Sequence, residues 1–145
     1  MIYYLIGQPG SGKTTIAKGI MKRYDFTEWY HIDGDDIREL FDNKDYSKDG
    51  RMKNIQLAQQ LSQYLHSRGK KVLVSLVSPY KDQRDVFKRK MGSDLLEIYV
   101  HTSEIRGREN FFVQDYEPPT ENYIDVCTDN ITIEECIDKI MDLKL

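Results

Sequence analysis

The stretch Gly7-Gln8-Pro9-Gly10-Ser11-Gly12-Lys13-Thr14 constrains this chain more than any other, because it fits G-x-x-x-x-G-K-[ST] between an apolar run and a helical pattern. Glycines let the backbone bend until several N–H groups converge on one anion, and a helix opening at Lys13 turns its positive dipole end to the same point. Lys13 would then reach terminal phosphates, and the Thr14 hydroxyl, with Thr15 beside it, would sit where Mg²⁺ is ligated. Taken alone, the same residues could be a glycine-rich turn capping a helix. The strand before and the helix after them favour the phosphate cradle.

The rest of the chain repeats that strand-then-helix grammar. Ile2 to Ile6, Trp29 to Ile32, Lys71 to Val77, Leu95 to Val100 and Tyr123 to Val126 are short and rich in β-branched or aromatic residues, as strands require. Between them, Lys13 to Arg23, Asp36 to Phe41, Lys53 to Arg68, Asp82 to Met91 and Thr132 to Leu143 carry helical spacing. In the third of these, Ile55, Ala58, Leu61, Ser62 and Leu65 share a face, and Gly69 stands where a C-terminal cap is expected. Alternation of this kind predicts βαβ units, a parallel sheet and helices on both faces. Ligands in such sheets bind beyond the carboxyl ends of the strands.

Length and charge narrow the options further. A chain of 145 residues fits one domain, without repeats or linkers to divide it. A net charge of −3 argues against a broad nucleic-acid footprint, which is usually basic. The longest apolar run, Val72 to Val77, is far short of the roughly 20 residues a membrane span needs, so no membrane association is expected. The first residues lack the basic flank of a signal peptide and read as the first strand. Cys127 and Cys136 lie in no metal-ligating or disulfide pattern, which makes a reducing cytoplasm the expected compartment. His31, His66 and His101 are too scattered in sequence to suggest a ligand set.

Asp33-Gly34-Asp35 follows the second strand and so falls at the ligand edge. Phosphoryl transfer to an alcohol needs a carboxylate to take the hydroxyl proton and another to fix the metal and its waters. By itself the triplet also reads as an Asp-Gly turn with Asp35 as helix N-cap. Behind a phosphate loop, the catalytic reading is preferred. Arg38, three residues past Asp35, and the pair Arg51 and Asn54 either form the anion half of an acceptor site or are solvated surface groups. The third strand ends in Ser78-Pro79-Tyr80-Lys81, without the acidic residue of a Walker B strand. Pro79 should hold Ser78 extended and present its hydroxyl to a ligand. Alternatively, Ser-Pro simply ends the strand, Tyr80 packs, and Lys81, Arg84 and Arg89 are exposed charges.

Taken in order, these motifs resemble the adenylylsulfate kinases, which phosphorylate the 3′-hydroxyl of adenylyl sulfate with Mg-ATP. The resemblance runs through Gly7 to Thr14, Asp33-Gly34-Asp35 with Ile37-Arg38, Tyr46-Ser47, Arg51, Asn54-Ile55, Ser78-Pro79-Tyr80-Lys81 with Arg84, and Tyr116-Glu117-Pro118-Pro119. It implies a three-layer α/β/α P-loop nucleoside triphosphate hydrolase fold with a mostly parallel sheet of about five strands. It implies a phosphotransferase acting on an alcohol group, with residues 7 to 15 binding ATP and Thr14 with Asp33 facing Mg²⁺. Asp33 would be the catalytic carboxylate, aided by Lys13, with Asp35 supporting metal or acceptor. Arg38, Arg51 and Asn54 would grip the phosphosulfate, and Tyr46 would take the place of a phenylalanine that packs on the adenine. Ser78, Pro79, Tyr80 and Arg106 would complete the acceptor site. Dimers are common in the family, so a homodimer is among its implications.

This sequence departs from the family pattern at three places. Gly50 stands where the family usually has Asp, and Lys81 replaces Arg. More consequentially, the lid, about residues 102 to 120, is short: only Glu104 to Asp115 separate the fourth strand from Tyr116. Ile105-Arg106-Gly107 and Phe111-Phe112 are its candidate remnants. A shortened lid leaves open another hydroxyl acceptor, a small metabolite or a polynucleotide end, or a nucleotide-binding module without turnover.

Overall fold

The computed structural model describes residues 1–24 and 26–142. Strand β1 (Ile2–Ile6) leads into α1 (Lys13–Arg23), then β2 (Trp29–Asp33), α2 (Gly34–Leu40) and α3 (Lys48–Ser67). There follow β3 (Lys71–Leu76), α4 (Lys81–Met91), β4 (Leu95–His101), β5 (Ile124–Cys127) and α5 (Ile133–Asp142). The strands pair in parallel throughout, in the order β2-β3-β1-β4-β5. This is the expected α/β/α sandwich.

Period-two alternation along β1 divides the core. Tyr3 and Leu5 pack with Ile16 and Ile20 of α1 and Ile137 and Ile140 of α5, whereas Ile2, Tyr4 and Ile6 face Ile37, Ile55, Ala58 and Phe87 on the other side. Each such fully buried aliphatic side chain contributes about 1.5–3 kcal/mol. Both faces of the sheet are therefore covered, which is why its strands read as near-continuous apolar runs. Among the described residues, no helix is long and apolar enough to cross a membrane.

Helix ends follow local chemistry. Gly69, at φ +79°, closes α3 with its own N–H on His66 O at 3.0 Å and that of Lys70 on Leu65 O at 3.1 Å, a Schellman cap. Thr132 and Glu135 form a capping box at α5: the Glu135 amide donates to the Thr132 hydroxyl at 3.1 Å, and the Glu135 carboxylate accepts from the Thr132 amide at 3.3 Å. Leu143, expected at the end of that helix, lies outside the described residues.

Three helices begin earlier than expected, α4 by a single residue at Lys81. Helix α2 starts at Gly34 because Asp33, not Asp35, is its N-cap, accepting the Asp35 amide at 2.9 Å. Helix α3 starts at Lys48, capped by Ser47 on the Gly50 amide at 3.3 Å, so Gly50 lies inside it. A Cβ on Gly50 would lie 2.2 Å from Asp45 O, and the tight approach of the preceding loop outweighs glycine's poor helix propensity.

The chain passes from β3, on one side of β1, to β4 on the other. Loops at the carboxyl ends of β1, β2 and β3 consequently open onto one edge, where the two cavities described below lie.

Candidate active site

Asp33, the last residue of β2, accepts the Thr14 hydroxyl at 2.8 Å through Oδ2, while its Oδ1 takes the Asp35 amide. Parallel pairing of β2 with β3 sets Asp33 beside Ser75. Sheet and phosphate loop are thus locked together at one carboxylate. Lys13 is buried at the start of α1, with Nζ donating to Gly7 O and Gln8 O at 2.9 Å each and to Ser11 Oγ at 3.4 Å. Burial pushes its amine down to about 8, with Asp33 opposing that shift and Arg108 adding to it.

Two adjoining cavities meet at this point. The smaller, about 140 Å³, is lined by Pro9, Gly10, Lys13, Thr14, Asp33 and Ser75 among others. The larger, about 570 Å³, is lined by Arg38, Tyr46, Arg51, Asn54, Ser78, Pro79 and the lid residues Asn110 to Val113. Gly34, Asp35, Leu76, Val77, Pro9 and Arg108 line both. Asp35 therefore faces both compartments, and Asp33 only the smaller.

The larger cavity suits an anion. Among the described residues, the Arg51 guanidinium has no hydrogen-bond or ion-pair partner. Arg38 donates only to neutral oxygens, Asn43 O at 3.0 Å, Asn43 Oδ1 at 3.2 Å and Asp45 O at 3.1 Å, and stacks at 4.0 Å on Tyr46, itself 63% exposed. Among the described residues neither arginine forms an ion pair with a carboxylate, so both remain available to an anionic ligand. Asn54 donates to Gly34 O at 3.2 Å, but its buried Oδ1 has no donor, an acceptor atom that a ligand hydroxyl or amino group would satisfy.

Several sequence expectations need correction. Ser78 is not extended: its φ is +44°, and its hydroxyl lies 2.9 Å from the Tyr4 hydroxyl in the core, at 1% exposure. Burial pushes Tyr4 up to about 12, and Gln59 donates to the same oxygen at 3.1 Å. The Ser78 hydroxyl is therefore engaged in the core through Tyr4, although the residue lines the larger cavity. Tyr80 lines neither cavity; it packs against the core beneath α3, with Lys48 Nζ 5.3 Å from its ring. Arg106 is also outside both, its guanidinium spent on Ser11 O at 3.0 Å, on Gly10 O and Thr128 O at 3.4 Å each, and on Glu104 at 3.0 Å. It braces the phosphate loop through those carbonyls. Thr15 is exposed on the first turn of α1 and lines neither cavity.

Sequence reasoning passed over a buried charge cluster. Arg84, for which an exposed charge was the alternative reading, is 1% exposed, with Nε 3.3 Å from Glu97, Nη1 donating to Ser78 O at 2.7 Å and Nη2 donating to Glu117 O. Lys88 binds the same Glu97 at 2.8 Å and Glu121 O at 2.9 Å. Tyr116 donates to Val77 O at 2.6 Å, and the Glu117 carboxylate accepts the Lys81 amide at 2.9 Å. Together these hold the outgoing leg of the lid beside the larger cavity. The signal was Glu97 itself, a carboxylate in the apolar run of β4, which demands a buried cation.

The incoming half of the lid is pinned as well. Gln8 exchanges two hydrogen bonds with the Val113 backbone, at 2.8 and 2.9 Å, and Asp129 accepts the Ser103 amide at 3.0 Å. Hydrogen bonds from Ser103 and Thr102 hold the Asp129 carboxyl far below the usual range.

Mg²⁺ fits the donors at the loop. Thr14 Oγ1 and Asp33 Oδ2 are hard oxygens side by side, and Mg²⁺ commonly takes one or two protein oxygens and completes its shell with phosphate and water.

The model of the family described as adenylylsulphate kinase matches residues 1–110. The chain belongs to the adenylylsulphate kinase family. The adenylyl-sulfate kinase of Clostridium kluyveri is 29% identical over 163 aligned residues, covering 98% of this chain and 82% of its own length. The cytidine diphosphoramidate kinase of Campylobacter jejuni is 25% identical over 131, covering 86% of this chain and 76% of its own length. A Mycobacterium tuberculosis APS kinase, solved in complex with AMPPNP and APS, superimposes with a TM-score of 0.84 at 21% identity, covering 99% of this chain and 96% of that one. That likeness establishes the shared fold.

Proposed function

We propose that this chain is an ATP-dependent kinase that phosphorylates the 3′-hydroxyl of adenylyl sulfate. The observation that carries the reading is the pair of cavities meeting at Asp35, one built on the phosphate loop and the other on arginines without carboxylate partners among the described residues. Membership of the adenylylsulphate kinase family supports the same acceptor.

The triphosphate binds along the loop amides with Lys13 at its outer phosphates, and the acceptor enters the larger cavity with Arg38 and Arg51 at its anionic end. When bound with the nucleotide, Mg²⁺ would neutralise charge on the β- and γ-phosphate oxygens. Thr14 and Asp33 would hold it. Asp33 has both carboxylate oxygens engaged, so the proton-accepting role assigned to it from the sequence passes in this reading to Asp35, which is open to both cavities. The chain works in the cytoplasm, where the free thiols of Cys127 and Cys136 stay reduced.

The test is ADP release with and without adenylyl sulfate, in wild type, D33N and D35N. Strong stimulation by adenylyl sulfate is expected, with D35N lowering kcat and leaving ATP binding nearly intact, and D33N weakening Mg-ATP as well. Absence of stimulation refutes the acceptor, and equal small effects of both variants refute the division of labour.

One observation favours a second acceptor class. The Clostridium kluyveri alignment needs 163 positions, more than the 145 residues of this chain, so that relative carries a substantial insertion. The Campylobacter jejuni enzyme covers 86% of the chain in 131 positions, with far less inserted sequence. A short lid is compatible with a nucleoside diphosphoramidate acceptor, and cytidine diphosphoramidate belongs in the same assay.

A further inference from the structure

The short lid carries two arginines two residues apart, and the structure gives them opposite fates. Arg106 is consumed by carbonyls of the phosphate loop and by Glu104. Arg108 lines both cavities, and among the described residues its guanidinium has no hydrogen-bond or ion-pair partner, resting 5.5 Å from the Phe111 ring centroid. Its Cβ and Cγ press on the phosphate loop closely enough that a Cβ on Gly10, at φ +81°, would meet both at 3.0 Å.

The lid fixes that placement. Upstream, Arg106 is bonded to Ser11 O; downstream, Val113 is bonded twice to Gln8. Between them the Glu109 carboxylate accepts the amides of Arg106 at 3.0 Å and Gly107 at 3.2 Å, closing the turn that presents Arg108. A guanidinium held over the junction of a phosphate-loop cavity and an acceptor cavity stands where negative charge spreads during transfer. Lys13, bonded to loop carbonyls, lines the smaller cavity, whereas Arg108 lines both.

We propose that Arg108 is a catalytic residue whose guanidinium contacts the oxygens of the phosphoryl group as it passes between the two cavities. The proposal rests on the kinase reading above. In the step it serves, the acceptor hydroxyl oxygen bonds to the γ-phosphorus and the bond from that phosphorus to the β–γ bridging oxygen breaks. The electron pair of the broken bond leaves on ADP, and the hydroxyl proton passes to Asp35. Arg108 stays protonated throughout, supplying charge and planar hydrogen-bond donors.

The experiment compares wild type with R108A and R108K, using R89A on the exposed face of α4 as a control. Three quantities are read: kcat for ADP release, ATP dissociation constant by calorimetry, and retention of ADP trapped by Mg²⁺ and aluminium fluoride, which mimics the phosphoryl group in flight. Because arginines in this role are worth 10³–10⁵ in kcat elsewhere, R108A is expected to lose at least about a hundredfold in kcat and to lose trapping. ATP affinity should stay within about threefold, and R108K should recover part of the rate. R108A with kcat within about threefold of wild type, or with ATP affinity falling in step with kcat, overturns the proposal. Failure of wild type to trap the fluoride complex overturns it too. If wild type ignores adenylyl sulfate yet hydrolyses ATP with water, and R108A abolishes both that hydrolysis and the trapping, the acceptor assignment fails while Arg108 stands.

Discussion

Replacing Arg84 by Met should damage the protein more than any surface-charge change, and the reason is what it leaves behind. Glu97, at 1% exposure, would keep only Lys88 as a counter-charge, and the carbonyls of Ser78 and Glu117 would lose their donors. Breaking a buried pair by removing one partner costs about 3–5 kcal/mol. Lys88 still neutralises Glu97, and the Arg84 contact, at 3.3 Å, is an ion pair without an aligned hydrogen bond, so the lower end, about 3 kcal/mol, is expected. For a chain of this size that is a fall in Tm of roughly 6–12 °C. The double variant R84M/E97M should recover much of the loss, because an apolar pair of similar volume needs no desolvation. Calorimetric melts of both variants check this, alongside steady-state kinetics in which R84M raises the acceptor KM through the loosened 116–121 leg. A loss below about 1 kcal/mol in R84M, or strict additivity in the double variant, refutes the reasoning.

Four other outcomes are expected. Lys13, whose amine titrates near 8 without nucleotide, is held charged by a bound triphosphate, so ATP binding should take up close to one proton at pH 9 and almost none at pH 7, with affinity weakening as pH rises through 8; calorimetry in buffers of differing ionisation enthalpy reads this directly. Because that amine is depressed from 10.5, the unfolded chain binds more protons between 8 and 10.5, and stability without nucleotide should rise with pH across that window. S78A should cost about 1 kcal/mol through its bond to Tyr4 and leave kcat within severalfold, whereas loss of turnover in a folded S78A would refute the packing role of the hydroxyl. G50A forces a Cβ against Asp45 O and should destabilise by about 1–3 kcal/mol while raising the acceptor KM, since the same segment positions Arg38.

Much of this architecture was legible in the residues. The bounds of β1 and α1 match expectation, because an apolar run, a glycine loop and a helical period meet there without ambiguity. Asp33 and Asp35 also line the smaller cavity together, and Asp35, Arg38, Arg51 and Asn54 the larger, since β2 ends and α2 and α3 begin at one sheet edge. What escaped depended on contacts distant in sequence. The α3 start was hidden because Gly50 reads as a breaker until Asp45 is seen against it. Ser78 turned inward because Tyr4, 74 residues earlier, offers its hydroxyl and Arg84 takes its carbonyl. Arg106 and Arg108 look alike in a loop, and only the phosphate-loop carbonyls tell them apart.

The central claim is that a phosphoryl group crosses from one cavity to a ribose hydroxyl in the other. Phosphorus NMR of the product from ATP and adenylyl sulfate tests it most directly: the account predicts one new phosphomonoester on the 3′-oxygen for each ADP formed. ADP accompanied only by inorganic phosphate would contradict it.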